Sequence, residues 1–303
     1  MKINVIIPTY KPDEKFERNL RMLRRQTLQP DRILIINTEE SLFHSKEFGK
    51  LPQGEIIHIK KSEFDHGGTR NRAAAMCDGD IIVLLTQDAI PADEYLLENL
   101  TKPFEDPEVC AVYGRQMADW KDNPVEAYTR TFNYPKESRI KSKEDLPVLG
   151  IKTFFCSNVC AAYRKSVYDA MGGFPLHTIF NEDMIFASRL IEAGKKIAYA
   201  ADAKVWHWHN YSAVEQCKRN FDLAVSQVDY GGLFAAVKSE SEGIRLVKTT
   251  LLYFIKKHRY ALIPHIIMQN GMKYLGYKLG QNYKRLPKWL ILKISLNPFY
   301  WKM

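Results

Sequence analysis

Acidic and histidine side chains stand where predicted strands end or a predicted helix begins, and these residue types suit metal binding and proton transfer. Asp88 follows a buried-type apolar run, where a carboxylate is placed to meet a divalent cation and a diphosphate. Glu182 and Asp183 open a predicted helix, and His209 ends an alternating Trp-His-Trp-His segment that predicts one histidine as a metal ligand. Each feature also has a structural explanation, respectively a turn, a helix cap and a satisfied polar residue.

Paired glycines mark a second candidate region. Gly67 and Gly68 join a predicted strand to a predicted helix and are followed by Arg70, so backbone amides and a guanidinium meet at a helix start. This arrangement favours contact with a phosphate or a sugar, although ordinary packing explains Arg70 equally well. The glycine spacing matches neither standard phosphate-binding loop.

Alternation of β-branched runs with helical periodicity predicts the elements that position these residues. The order βαβα indicates an α/β fold with a mostly parallel central sheet flanked by helices, and such sheets bind ligands at the carboxyl ends of their strands. Residues 119–146 are polar and predict a long excursion from the sheet or a mobile loop. The predicted strands are 3–7, 32–36, 55–59, 80–85, 109–114, 158–163, 197–200 and 204–208, and the predicted helices are 14–26, 69–77, 95–104, 164–171, 183–193 and 213–238.

Taken in order, the motifs resemble glycosyltransferase family 2. The set is Pro8-Thr9-Tyr10, Gly68-Thr69-Arg70-Asn71, Gln87-Asp88, Asn158, Gly172-Gly173-Phe174, Glu182-Asp183 and His209. The resemblance covers residues 1 to about 210 and implies the GT-A fold and a nucleotide-sugar donor. The strings Asp65–Asn71 and Thr86–Ala89 are similar to those of rhamnosyltransferases that use dTDP-L-rhamnose.

The resemblance also implies roles for the site residues. Asp88 and His209 would hold Mg²⁺ or Mn²⁺ against the diphosphate, and Asp183 would deprotonate the acceptor hydroxyl so that direct attack inverts the anomeric centre. One departure concerns the metal motif, since Thr86 stands where the family usually has a first aspartate. The residues expected to contact donor or acceptor are Pro8, Thr9, Tyr10, Glu39, His66, Gly68, Arg70, Asn71, Gln87, Asp88, Asn158 and Glu182.

Charge is distributed unevenly along the 303 residues. Residues 1–212 carry 29 Lys+Arg and 30 Asp+Glu, whereas residues 213–303 carry 15 and 5, so the net charge of +9 comes from the second part. We therefore expect a GT-A catalytic domain at 1–212 and a basic, amphipathic helical region at 213–303. Its mixture of cations and large apolar residues indicates an anionic membrane surface, and no nucleic-acid-binding signature accompanies it.

Compartment and acceptor are inferred from the same features. The amino terminus resembles no secretion signal, and five scattered cysteines suit a reducing environment, with Cys156 and Cys160 expected to be structural. We expect a peripheral enzyme on the cytoplasmic face of a membrane that acts on a lipid-linked saccharide. Two alternatives stay open, namely a family 2 enzyme with a UDP-sugar donor and a catalytically silent sugar- or lipid-binding protein of the same fold.

Overall fold

A nine-stranded sheet forms the centre of the protein. The computed structural model describes residues 1–234 and 240–302. The strands are β1 (Ile3–Tyr10), β2 (Arg32–Thr38), β3 (Gly54–Ile59), β4 (Ile81–Leu85), β5 (Ile90–Pro91), β6 (Val109–Met117), β7 (Arg139–Lys141), β8 (Cys160–Arg164) and β9 (Lys196–Trp206). Their order is β3-β2-β1-β4-β8-β6-β9-β5, and β7 pairs with β9.

Helices cover both faces of this sheet and form the carboxyl-terminal region. They are α1 (Glu14–Leu23), α2 (His66–Ala75), α3 (Leu96–Thr101), α4 (Pro124–Asn133), α5 (Leu146–Leu149), α6 (Lys165–Ala170), α7 (Glu182–Glu192), α8 (Ala213–Asp229), α9 (Gly231–Phe234), α10 (Glu240–Lys256), α11 (Ile263–Gln281) and α12 (Lys288–Ile294). None of the helices in the described ranges has the length and apolarity that a membrane span needs.

The α/β class is confirmed, and the sheet is mixed. Strands β1 to β4 are mutually parallel, as expected from the alternation of strands and helices. Strand β8 runs antiparallel to both β4 and β6, while β6 and β9 are parallel to each other. Because β8 is reversed, its first residues lie beside the last residues of β4, and Cys160 pairs with Leu85. The start of β8 and the ends of β1, β2, β4, β6 and β9 therefore share one edge of the sheet.

Apolar side chains on both faces of the strands explain why the sheet is buried. Val5 and Ile7 pack with Phe16 and Leu20 of α1 on one face, and Ile6 packs on the other face with residues of α2 and α7. Strands covered on both faces read as continuous apolar runs, which is why the strand predictions for the first half are confirmed.

Three predictions for individual segments are wrong. The strands expected at 197–200 and 204–208 form one continuous strand, β9. Residues 119–146 contain α4 and β7 rather than a long loop, because Asn123 caps the first turn and Pro124 begins the helix. The helix expected over 213–238 ends at Asp229, and residues 235–239 lie outside the described ranges. Its predicted start is confirmed, since Ser212 and Glu215 form a reciprocal capping box.

Helix α11 packs against α8 at a very short distance. A Cβ atom at Gly276 would lie 2.0 Å from the Cys217 carbonyl oxygen, and one at Gly280 would lie 2.3 Å from that of Phe221. Only glycine permits this approach of two backbones. The carboxyl-terminal helices are thus packed directly on the helix that follows the sheet.

Candidate functional site

One carboxylate and two imidazoles meet at the edge of the sheet. Asp88 Oδ2 lies 3.5 Å from His207 Nε2 and 3.4 Å from His209 Nε2, and the two imidazole nitrogens are 3.1 Å apart. Adjacent ligands of a metal bound at about 2.1 Å in octahedral geometry are about 3 Å apart. Within the described residues these three form the group able to hold a metal ion, and their separations fit a divalent cation.

Strand ends place the three ligands. Asp88 lies in the turn after β4, where the Ala89 N–H donates to the Thr86 carbonyl at 3.0 Å. His207 and His209 follow the last residue of β9, which is parallel to β6 at the same edge. Burial lowers the pKa of His209 below its ordinary value and that of His207 well below it, which favours neutral imidazoles with a lone pair for a metal.

Asp183 forms a second centre at the start of α7. The Asn158 N–H donates to its Oδ2 and the Met184 N–H donates to its Oδ1, both at 2.8 Å. Burial, followed by the negative charge of Glu182, raises the pKa of Asp183 to about 7. A carboxyl group with this pKa exchanges protons near neutrality, which suits a general base.

Glu182 differs from its neighbour because it has a cationic partner. Arg70 Nη1 lies 3.3 Å from Glu182 Oε1, and the Asn158 amide donates to the same oxygen at 3.2 Å. Although burial opposes ionisation, Arg70 and the nearby His66 hold the pKa of Glu182 below its usual value. The pair therefore keeps one ionised carboxylate beside one carboxyl that titrates near pH 7.

A short segment before β8 connects the two centres. The Val159 carbonyl accepts a hydrogen bond from the Thr86 N–H at 3.1 Å, so the segment is joined to the turn that carries Asp88. The adjacent Asn158 contacts Asp183 and Glu182 as described above. The Asp88 turn and the Asp183 carboxylate are thus hydrogen-bonded to neighbouring residues, Val159 and Asn158, of the segment 157–159.

Residues expected on the donor side lie at the ends of β1 and β2. Tyr10 is joined to Gln87 by two hydrogen bonds, from its N–H at 2.9 Å and to its carbonyl at 3.2 Å. Thr9 donates to Asn37 at 3.1 Å, and the Glu39 carboxylate accepts from the Lys61 N–H at 2.6 Å. These hydrogen bonds connect the ends of β1, β2 and β3 with the turn that contains Asp88.

Other predicted binding residues have structural partners. Pro8 is a partly buried residue of β1 and pairs with Ile36. The Asn71 amide accepts from the Phe174 N–H at 2.9 Å and donates to the Phe174 carbonyl at 2.8 Å, so it clamps the glycine turn before α7. Arg70 faces Glu182 and the His66 carbonyl rather than the Asp88 turn.

Gly67, rather than the predicted binding residue Gly68, stands where only glycine fits. A Cβ atom at Gly67 would lie 1.9 Å from the Pro175 carbonyl oxygen, whereas one at Gly68 would meet first the flexible side chain of Asp65 at 2.9 Å. Gly67 therefore allows α2 to approach the loop that leads to Glu182 and Asp183. The Asp65 side chain caps α2 by accepting from the Gly68 N–H.

Two contacts at the site are absent from the sequence prediction. His207 joins His209 at the cation site, and the alternation Trp-His-Trp-His is the signal that could have included it. Lys61 Nζ lies 5.4 Å from the Tyr10 ring centre and 4.3 Å from that of Phe299, near the carboxyl terminus. No pattern in the sequence connects residues so far apart.

Comparison with known proteins gives consistent matches. The model of glycosyl transferase family 2 matches residues 4–172. The chain is 40% identical over 309 residues to an O-antigen chain rhamnosyltransferase of Salmonella typhimurium, which covers 99% of this chain and 96% of that protein. It is also 40% identical over 306 residues to an O-antigen chain rhamnosyltransferase of Salmonella anatum, with 98% and 95% covered.

Solved structures share the fold at low sequence identity. A mannosyltransferase of Pyrobaculum calidifontis in complex with GDP-Man and Mn²⁺ superposes with a TM-score of 0.62 at 14% identity, over 94% of this chain and 88% of that one. TarS of S. aureus, residues 1–349 in complex with UDP-GlcNAc, superposes with a TM-score of 0.53 at 14% identity, over 94% and 92%. The arrangement of sheet and helices is thus shared with both.

Proposed function

The chain belongs to glycosyl transferase family 2, with a GT-A fold, and from this membership and its site we propose that it transfers L-rhamnose from dTDP-β-L-rhamnose with inversion. The observation that supports this most is the pairing of a cation site at Asp88 with a carboxyl of raised pKa at Asp183, joined by residues 157–159. The two full-length relatives are named rhamnosyltransferases, which supports rhamnose as the sugar. Polysaccharide synthesis is the process that their O-antigen names indicate.

Inversion requires a base on the acceptor side and charge neutralisation on the donor side. A cation held by Asp88, His207 and His209 would neutralise the diphosphate as the glycosidic bond breaks. Asp183 accepts the proton of the acceptor hydroxyl, and its pKa of about 7 makes it a stronger base than an ordinary aspartate. The N–H groups of Asn158 and Met184 hold one carboxylate oxygen each and fix the direction in which the carboxylate faces.

The side chains that would bind the metal favour Mn²⁺ over Mg²⁺. Mg²⁺ prefers oxygen ligands, whereas two of the three side chains here are imidazoles. A site with a single carboxylate therefore need not be a weak one, because His207 supplies the ligand that the missing first aspartate would otherwise provide.

We further propose that the acceptor is a lipid-linked saccharide and that α11 rests on an anionic membrane on the cytoplasmic side. Its face opposite α8 presents Ile267, Met268, Tyr274 and Leu275, each 47–60% exposed, with Gly271 between them. No charged residue interrupts this stripe, and lysines and arginines stand exposed before and after the helix. An apolar stripe flanked by cations suits the interface of an anionic bilayer.

Donor use is tested by measuring nucleoside diphosphate release with dTDP-L-rhamnose, UDP-sugars and GDP-mannose, each with Mn²⁺ and a lipid-linked acceptor extract. We expect release with dTDP-L-rhamnose, at least a hundredfold lower in Asp183→Asn. Asp202→Asn, an exposed aspartate of β9, is the matched control and should retain the rate. Release with a UDP-sugar alone would refute the rhamnose donor, and no release with any donor would favour a silent binding protein.

Membrane contact is tested separately by vesicle flotation. The wild-type chain should float with vesicles that contain anionic lipid and less so as salt is raised. The double variant Met268→Glu/Tyr274→Glu should stay at the bottom, whereas Val148→Glu, which changes an apolar residue 80% exposed on α5, should float normally. Equal flotation of the double variant would exclude α11 as the contact surface.

A further inference from the structure

Gln116, at the end of β6, contacts one of the two histidines of the cation site. Its Oε1 lies 3.1 Å from His207 Nδ1, the ring nitrogen opposite the one that faces Asp88. Both side chains are buried, Gln116 at 2% and His207 at 6% exposure. The contact is therefore shielded from water, and its donor and acceptor roles are set by protein groups alone.

Arg130 determines which end of the Gln116 amide faces His207. Its Nη1 contacts Gln116 Oε1, and because a guanidinium only donates hydrogen bonds, the atom that it contacts has to be the oxygen. The other end of the amide agrees, since Gln116 Nε2 donates to Ser157 Oγ at 2.9 Å. Glu126, one turn earlier on α4, holds Arg130 in place through Nε at 2.8 Å.

The orientation of the amide then fixes the tautomer of His207. An amide oxygen accepts hydrogen bonds, so a neutral His207 has to carry its proton on Nδ1 and donate it to Gln116. Its Nε2 is then unprotonated, and it is this nitrogen that lies 3.5 Å from Asp88 Oδ2 and 3.1 Å from His209 Nε2. A metal ligand needs this lone pair, and hydrogen bonds to the opposite ring nitrogen commonly set it.

We propose that Gln116 and Arg130 are positioning residues of the cation site: Arg130 orients the Gln116 amide, and Gln116 holds His207 in the tautomer that binds the metal through Nε2. The inference rests on the metal-dependent function proposed above. It assigns a role to α4, which lies in the segment that the sequence predicts as a loop. Through Ser157, the same amide also contacts the segment in which the Asn158 N–H donates to Asp183.

The tautomer is measured directly by ¹⁵N NMR of metal-free protein labelled in its histidines, with the His207 signals assigned by their loss in His207→Asn. Wild-type protein should show the proton on Nδ1. Arg130→Met removes the group that forbids rotation of the amide, so a mixture with the Nε2–H form is expected. Ser157→Ala is the matched control, because Arg130 still orients the amide and the Nδ1–H form should persist.

Metal affinity is the second readout, followed by electron paramagnetic resonance with Mn²⁺ alone. Gln116→Leu and Arg130→Met should raise the dissociation constant by roughly 10- to 100-fold. Gln116→Glu keeps an acceptor oxygen toward both His207 and Arg130 and should restore affinity to within about threefold of wild type, which a purely structural role would not predict.

An Nε2–H tautomer in wild-type protein, or Mn²⁺ affinities of folded Gln116→Leu and Arg130→Met within twofold of wild type, would overturn the inference. The two readouts do not involve a sugar donor. If they behave as expected while dTDP-L-rhamnose is not used, the proposed donor fails and the role of Gln116 and Arg130 stands.

Discussion

Replacement of Glu182 by glutamine should move the acid limb of the pH–rate profile to lower pH. The pKa of Asp183 lies about three units above its ordinary value of 3.8, which corresponds to about 4 kcal/mol against the ionised form. Burial is the larger cause and the Glu182 charge the second. Glutamine keeps the burial and removes the charge, so the pKa of Asp183 should fall by about one unit rather than return to 3.8.

The direction and size of this shift in the pH–rate profile follow from the protonation of Asp183. As the proposed general base, Asp183 would act only when deprotonated, so kcat/KM should rise with pH up to about 7 and then level off. With a pKa about one unit lower, the rate at pH 6 relative to that at pH 8 should increase from about one tenth to about one half. This ratio is independent of any loss in the plateau rate caused by acceptor misplacement.

The assay is the pH dependence of kcat/KM for wild type, Glu182→Gln and Glu192→Gln, the last being an exposed glutamate at the other end of α7. Glu192→Gln should leave the limb at its wild-type position. If the acid limb of Glu182→Gln stays at its wild-type pH, the Glu182 charge does not raise the pKa of Asp183 or Asp183 is not the group that titrates. A fall to about pH 4 would show that burial is not the main cause.

Three further outcomes are expected. Asp88→Asn removes the single carboxylate of the cation site and should raise the Mn²⁺ dissociation constant at least tenfold, measured by electron paramagnetic resonance. Gly67→Ala should lower the free energy of unfolding in urea by about 1–3 kcal/mol because its Cβ would meet the Pro175 carbonyl, whereas Gly271→Ala, with nothing within 4 Å, should raise it by about 0.5–1 kcal/mol. The pKa of Asp222 is raised to about 6, chiefly by burial, so folding takes up a proton between about pH 4 and 6 and the free energy of unfolding falls as pH rises through this interval. Asp222→Asn removes this pH dependence, so the variant should lose about 2 kcal/mol more of the free energy of unfolding, relative to wild type, at pH 4.5 than at pH 7.5. Urea melts at the two pH values measure this loss. An equal loss at both would contradict the burial of an ionisable group.

The first half of the sheet was predictable because three of its four strands, β1, β2 and β4, are buried on both faces. Continuous apolar runs, separated by helices that Asp13 and Asp65 cap, leave a parallel arrangement as the simplest solution. The reversal of β8 was not predictable, because direction depends on how residues 118–159 return to the sheet. That segment is polar on its outer side, which hid α4 although Asn123-Pro124 is a helix-start signal.

The candidate site was predictable where motif order carries information and unpredictable where contacts span long sequence distances. Asp88, Asp183 and His209 follow from their motifs, and the structure brings Asp88 and His209 together. The ion pair between Arg70 and Glu182 joins residues more than a hundred positions apart, so the sequence left Arg70 between a sugar contact and ordinary packing. The choice between Gly67 and Gly68 depends on the position of a neighbouring carbonyl group, which spacing does not encode.

The backbone contact between α11 and α8 also determines where the exposed face of α11 lies. Gly276 and Gly280 lie against the carbonyls of Cys217 and Phe221, so sliding one helix along the other would bring a larger side chain against a backbone carbonyl. Ser226 of α8 donates in turn to the Phe180 carbonyl at 2.6 Å, so the outward face of α11 is connected through α8 to the segment that leads to Asp183. If that face rests on lipid, the reactive hydroxyl has to stand at one height above the bilayer. The distance between the membrane and Asp183 would then select which sugar of a growing glycan is extended.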